Sequence, residues 1–170
     1  MKNIFVDGYN VINSWPDLKE KKDVSFEGAR QSLIDKLHNY GVFKACRIIL
    51  VFDAHKVQGS IEKKEEINKN ICVVFTKDGE TADAYIERHV NEIGRKHEVV
   101  VVTSDNLEQQ TVFQRGAVRM SSIEFYNEIL KVEKSINIKT SKVKVNQKNS
   151  VADNINEDIV KKLEEMRRGK

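Results

Sequence analysis

Long hydrophobic runs are missing from this chain of 170 residues, and so is any closely spaced cysteine pair. No apolar stretch approaches the ~20 residues that cross a bilayer, which excludes a membrane-spanning helix. The opening residues lack a basic segment ahead of an apolar one, because Asp7 and Asn10 interrupt it, so no secretion signal is expected there. Cys46 and Cys72 stand alone in or beside apolar runs, without CxxC spacing. They read as reduced core thiols of a cytoplasmic protein. His38, His55, His89 and His97 form no ligand-spaced cluster with them, which argues against zinc. Aromatic residues are scarce at 7%, and the only Trp is Trp15. Net charge is also small, +3 overall, yet unevenly spread. Residues 131–170 hold 11 Lys/Arg against 6 Asp/Glu, leaving an acidic excess in residues 1–130. That asymmetry suits a protein that meets a polyanion.

What is present is a set of short apolar segments, several of which end in an acid. Ile4-Phe5-Val6 stops at Asp7, and Gly8 permits a sharp exit that leaves room for an ion and a phosphate beside Asp7. Cys46 to Phe52 stops at Asp53, and Glu98 to Ser104 stops at Asp105. Ile71 to Phe75 is a further strand, followed by a turn at Asp78-Gly79. Unbroken apolar runs of this kind suggest parallel strands covered on both faces. Between them, Ser25 to Tyr40 reads as an amphipathic helix stopped by Gly41. Thr81 caps a second helix from Ala82 to about Ile93, with Gly94 as its stop. Asn106 to Gln114 looks helical, Ala117 to Met120 is a short fifth strand, and Ser121 to Glu124 fits a capping box. Val11 to Val24 reads as a polar connection, and Lys56 to Asn70 as a charged loop able to act as a lid. The expected fold is α/β: a three-layer sandwich around a parallel sheet of about five strands, spanning residues 1–133. Residues 134–170 are expected to form a basic linker and a short C-terminal helix, since 134–148 hold five lysines and no acid.

In a parallel α/β sheet, Asp7, Asp53, Asp105 and Asp83 occupy one edge, with Glu80 and Asn10 beside them. An Asp after a strand is often only the N-cap of the next helix. Several together are another matter, because close carboxylates repel unless a cation neutralises them. An all-oxygen set without His or Cys suits Mg²⁺ or Mn²⁺, and such ions support phosphodiester hydrolysis. Around them, Arg30 borders the apolar face of its helix, where it makes either a surface salt bridge or a phosphate contact. His55 and Lys56, and Gln109 one turn beyond Asp105, could touch a nucleic acid or simply be solvated. Tyr9 could stack on a base or belong to the core. A phosphoryl-accepting receiver is disfavoured, since Asp7 is followed by Gly8 rather than a second acid, and Ser121-Ser122 stand where a Lys is needed.

The segments F-V-D-G-Y-N-V-I (5–12), A-R-Q-S-L-I-D-K-L (29–37), V-F-D-A-H (51–55), T-K-D-G-E-T-A-D (76–83), V-V-T-S-D (101–105) and Q-T-V-F-Q-R-G-A-V-R-M-S (110–121) together resemble the bacterial YacP-like group of NYN-domain nucleases. The resemblance covers roughly residues 1–130 and implies a fold similar to PIN-domain ribonucleases. It also implies a divalent-metal-dependent endoribonuclease acting on mRNA at the translating ribosome. It makes Asp7, Asp83 and Asp105 the central metal-binding carboxylates, with Asn10 orienting a carboxylate, water or phosphate. Asp53 and Glu80 become outer or second-metal ligands. The tail lies outside the match; there Lys142 and Lys144 would add salt-sensitive affinity for RNA or ribosome. A catalytically silent RNA- or ribosome-binding adaptor on the same fold is the competing reading.

Overall fold

A computed structural model of the chain describes residues 1–54, 59–104, 116–153 and 157–169, with backbone only over 146–153 and 157–160. Six described strands form one sheet: β1 (Asn3–Asp7), β2 (Arg47–Phe52), β3 (Lys63–Asn68), β4 (Ile71–Phe75), β5 (Val99–Val102) and β6 (Val118–Met120). Their order is β3-β4-β2-β1-β5-β6, and every pairing is parallel except β3 with β4. The described helices are α1 (Gly8–Ser14), α2 (Pro16–Val24), α3 (Phe26–Lys44), α4 (Ala82–Ile93), α5 (Ser122–Asp153) and α6 (Glu157–Arg167).

The apolar runs become the central strands because both of their faces are covered. Phe5, Val51, Val74 and Val101 pack against Ala82, Tyr85, Ile86 and Val90 of α4. Their alternate neighbours Ile4, Val6, Leu50, Val73 and Val102 are buried on the opposite face, where α1 and α3 meet β2. Trp15 ties this helical layer to α5 by donating from Nε1 to the Ser122 carbonyl at 2.9 Å. The chain steps from β1 outward through β2 to β4, then crosses back to β5 on the other side of β1. Strand order therefore reverses beside β1, and open α/β sheets bind ligands at the carboxyl ends of strands at such a reversal.

The expected fold class is confirmed, with differences in detail. The sheet has six described strands rather than about five, because the charged stretch K-K-E-E-I-N adds the antiparallel edge strand β3. An edge strand need not be apolar, and its charges discourage further pairing. Val11 to Val24 is helical, with Pro16 in the first turn of α2, where its missing N–H costs nothing. Helix α3 runs through Gly41 and ends at Ala45 in the left-handed region (φ 52°). Gly41 instead permits close packing, since a Cβ there would lie 3.3 Å from Asn70 Cβ. Residues 134–148, expected as a linker, are helical within α5. No Gly or Pro occurs between residues 117 and 168 to break them. The contacts divide the chain into two units, Met1–Val132 and Glu133–Lys170. Among the described residues no helix is long and apolar enough to cross a membrane.

Candidate active site

Asp7 ends β1 and also caps α1: its Oδ1 accepts from the Asn10 N–H at 3.2 Å. Burial pushes its carboxyl pKa up. The Asn10 N–H opposes this, the Asp53 charge adds to it, and a hydrogen bond with Asp83 and the Tyr9 N–H oppose it further. Asp7 and Asp83 are therefore neighbouring carboxyl groups, an arrangement that a cation between them would stabilise.

Asp83 stands in the first turn of α4, where a negative charge complements the helix dipole. Thr81 caps that turn, its Oγ accepting from Ala84 N–H at 3.2 Å. Asp53, just past β2, accepts from the Ala82 N–H through Oδ1, pinning the start of α4 to the end of β2. Buried Thr76 joins the same two junctions, accepting from Ala54 N–H at 3.1 Å and donating to the Glu80 carbonyl at 2.6 Å. Asp7, Asp53 and Asp83 thus come together from three strand–helix junctions.

Asn10 contributes a further oxygen. Its Oδ1 is buried and has no hydrogen-bond partner among the described residues. A buried acceptor without a donor is costly unless a water or cation meets it. Asp7, Asp83 and Asn10 offer oxygen donors, the type that Mg²⁺ or Mn²⁺ takes. No group of three or more His, Cys, Asp or Glu among the described residues could hold a metal by itself. Asp105, His55, Lys56 and Gln109 lie outside the described residues. Val102, the last residue of β5, pairs with Val6 directly beside this edge.

Glu80, Arg30, Lys142 and Lys144 complete the expected set. Glu80 is gripped by Arg88, with Nε–Oε1 at 3.1 Å and Nη2–Oε2 at 3.3 Å, so its charge is already matched. It also lines a pocket of about 200 Å³ with Ala54, Lys77, Asp78, Gly79 and Thr81. Arg30 pairs with Glu27 and lies 5.2 Å from the centroid of the Phe75 ring. Lys142 and Lys144 are exposed on α5 within the second unit.

Gly8 differs from expectation. A Cβ there would sit 2.6 and 2.7 Å from Phe52 Cδ1 and Cζ, so its openness accommodates an aromatic ring rather than an ion. That ring belongs to a group sequence reasoning missed: Tyr9, Phe26, Phe52 and Phe75, with Tyr9 5.3 Å from Phe26 and 5.2 Å from Phe52. The signal was available in outline, because Phe52 and Phe75 are both strand-final and pair in register.

Residues 4–168 match the family model of the YacP-like NYN domain. The chain is 39% identical over 170 residues to "Uncharacterized protein YacP" of Bacillus subtilis (strain 168), covering 99% of this chain and 98% of that one. The crystal structure of Rae1 (YacP) from Bacillus subtilis superposes with a TM-score of 0.73 at 38% identity, covering 99% of this chain and 96% of that one. A tryptophan-to-leucine variant of the same protein matches with a TM-score of 0.72, over 84% and 82% of the two chains.

Proposed function

The chain belongs to the family of YacP-like NYN domains, whose fold is of nuclease type, and from that premise we propose that it is a divalent-metal-dependent endoribonuclease of the cytoplasm. The observation carrying this reading is the acid pair: a half-buried Asp7 beside Asp83, with Asp53's charge acting on it, at the strand-order reversal. Asp7, Asp83 and Asp105 would hold Mg²⁺ or Mn²⁺, with Asn10 Oδ1 completing the set and Asp53 supporting it from the α4 cap. Such a cation supplies charge neutralisation at a phosphodiester and at its leaving oxygen. The residues' own part is to orient a water and take its proton. In the overall step a water oxygen bonds to phosphorus, one bridging P–O bond breaks, and the departing oxygen is protonated from solvent.

The substrate we assign is mRNA presented by the translating ribosome. Scarce aromatics and a net charge of +3 supply little for reading bases, so specificity would come from a partner. The competing reading is a catalytically silent RNA- or ribosome-binding adaptor on the same fold. It requires RNA or ribosome association that is unchanged by EDTA, with no cleavage. The deciding experiment is cleavage of one mRNA, free and on translating ribosomes, with and without Mg²⁺, by wild type, Asp7→Asn and Asp83→Asn. Loss of cleavage in both variants, with circular dichroism and RNA association retained, supports the nuclease. Wild-type rates in the double variant overturn it.

A further inference from the structure

The aromatic group beside the acid pair differs from the rest of the core. Trp15, Tyr85, Phe5, Phe52 and Phe125 are fully buried, whereas Tyr9, Phe26 and Phe75 are each left partly open to solvent. Tyr9 lies two residues from Asp7 and directly before Asn10, so its ring and the site oxygens leave the same turn of α1. It is held tilted against Phe26 at 5.3 Å and edge-on to Phe52 at 5.2 Å. Phe75 carries the Arg30 guanidinium 5.2 Å from its centroid. The charges of Arg30 and Asp53 both reach the Tyr9 hydroxyl, so a cation and a carboxylate of the edge both lie near it. Arg30's partner Glu27 is an exposed neighbour one turn away, and such a pair exchanges readily for a stronger anion.

The geometry points to a nucleotide subsite in which the Tyr9 ring stacks a base of single-stranded RNA while Arg30 takes the adjoining phosphate, next to the bond cut at Asp7 and Asp83. This rests on the nuclease reading and deepens it. A ring already braced by Phe26 and Phe52 loses little freedom on binding. Stacking also tolerates any base, since every base has a π-face. The subsite would therefore grip RNA without selecting sequence, which agrees with specificity being supplied elsewhere.

The test uses the full chain and a 12-nucleotide single-stranded RNA in EDTA, with 2-aminopurine placed at successive positions, beside an abasic oligomer of the same backbone. Expected for wild type and Tyr9→Phe is a 2-aminopurine fluorescence change on binding, confined to one or two positions. Tyr9→Leu should lose that change and bind the RNA roughly five- to twenty-fold more weakly, within the range for one base stacked on an aromatic ring. Its affinity for the abasic oligomer should be unchanged, a result that mere damage to packing would not produce. Arg30→Gln should weaken both oligomers. Equal weakening of both oligomers by Tyr9→Leu overturns the subsite. So does a flat 2-aminopurine profile in wild type, a measurement that needs no variant to fold. If wild type cleaves RNA with Mg²⁺ yet shows the flat profile, the subsite falls and the nuclease stands. If wild type neither binds nor cleaves RNA, the nuclease reading fails first and takes the subsite with it.

Discussion

Gly8→Ala replaces a glycine at the first position of a helix with the best helix former, a change that ordinarily stabilises by up to about 1 kcal/mol. Here it should do the opposite. The new methyl would press on Phe52 Cε1 and lie only 2.6 Å from Cδ1, at least roughly 0.9 Å short of the ~3.5 Å at which carbon atoms normally meet. Phe52 cannot swing clear, because its ring is fully buried, edge-on to Tyr9 at 5.2 Å and stacked on Phe75 at 5.8 Å. Forcing a methyl into a packed core costs about 1–3 kcal/mol, so the net loss should be about 1–2 kcal/mol. For a chain of this size that lowers Tm by about 2–8 °C. The effect should reach the site as well, since Phe52 directly precedes Asp53, which accepts from Ala82 N–H at the start of α4. Hydrogen exchange at Ala82 and Ala84 should quicken in the variant. Denaturant melts of Gly8→Ala, Phe52→Leu and the double variant then give the coupling between the two positions. The double variant should be more stable than the sum of the single losses predicts, because the smaller side chain admits the methyl. A Tm for Gly8→Ala at or above wild type would refute the packing argument.

Three further outcomes are expected. Asp7→Asn should keep its cap on α1, remove a buried charge facing Asp53, and raise stability in EDTA at neutral pH. Because the folded-state pKa of Asp7 is raised, wild type loses stability as pH climbs from 3.8 through the folded value. The variant's advantage should therefore shrink on acidification; a constant advantage from pH 4 to pH 8 in thermal melts would contradict it. Glu80→Gln should leave RNA cleavage within about threefold, as its carboxylate already pairs with Arg88; a loss matching Asp83→Asn would make Glu80 a ligand after all. Lys142→Glu with Lys144→Glu should weaken RNA or ribosome association measured by co-sedimentation, most at low salt and progressively less toward 200 mM; equal binding at 50 mM salt would remove these lysines from the interface.

What could be read in advance follows from how locally each element is specified. β1, β2, β4 and β5 are covered on both faces, so their burial is written as unbroken apolar runs. Helix α4 announces itself through Thr81 and Gly94, and α5 through the reciprocal Ser121–Glu124 box, with contacts of 2.7 and 3.2 Å. β3 was hidden because an edge strand carries charge on both faces. The helicity of 134–148 was hidden because an exposed lysine-rich helix needs no apolar stripe. Helices α1 and α2 were hidden because the first is seven residues long and capped by Asp7 itself, while Pro16 imitates a break.

The same doubling explains why the site was legible only in part. Asp7 and Asp53 each cap a helix, as an ordinary post-strand Asp does, yet both also bring charge to a shared edge. Capping by one carboxylate oxygen does not preclude ligation by the other. A cap fixes a carboxylate by one oxygen and leaves the other to face its neighbours, so the interactions that build the fold also aim the acids at one another. Only strand order reveals that the three junctions converge. Sequence spacing treats Asp7, Asp53 and Asp83 alike, but the sheet sets β1 between β2 and β5 and so puts Asp7 on the strand where the order reverses. Burial there makes a charge on Asp7 costly, and the charge of Asp53 on the neighbouring strand adds to that cost.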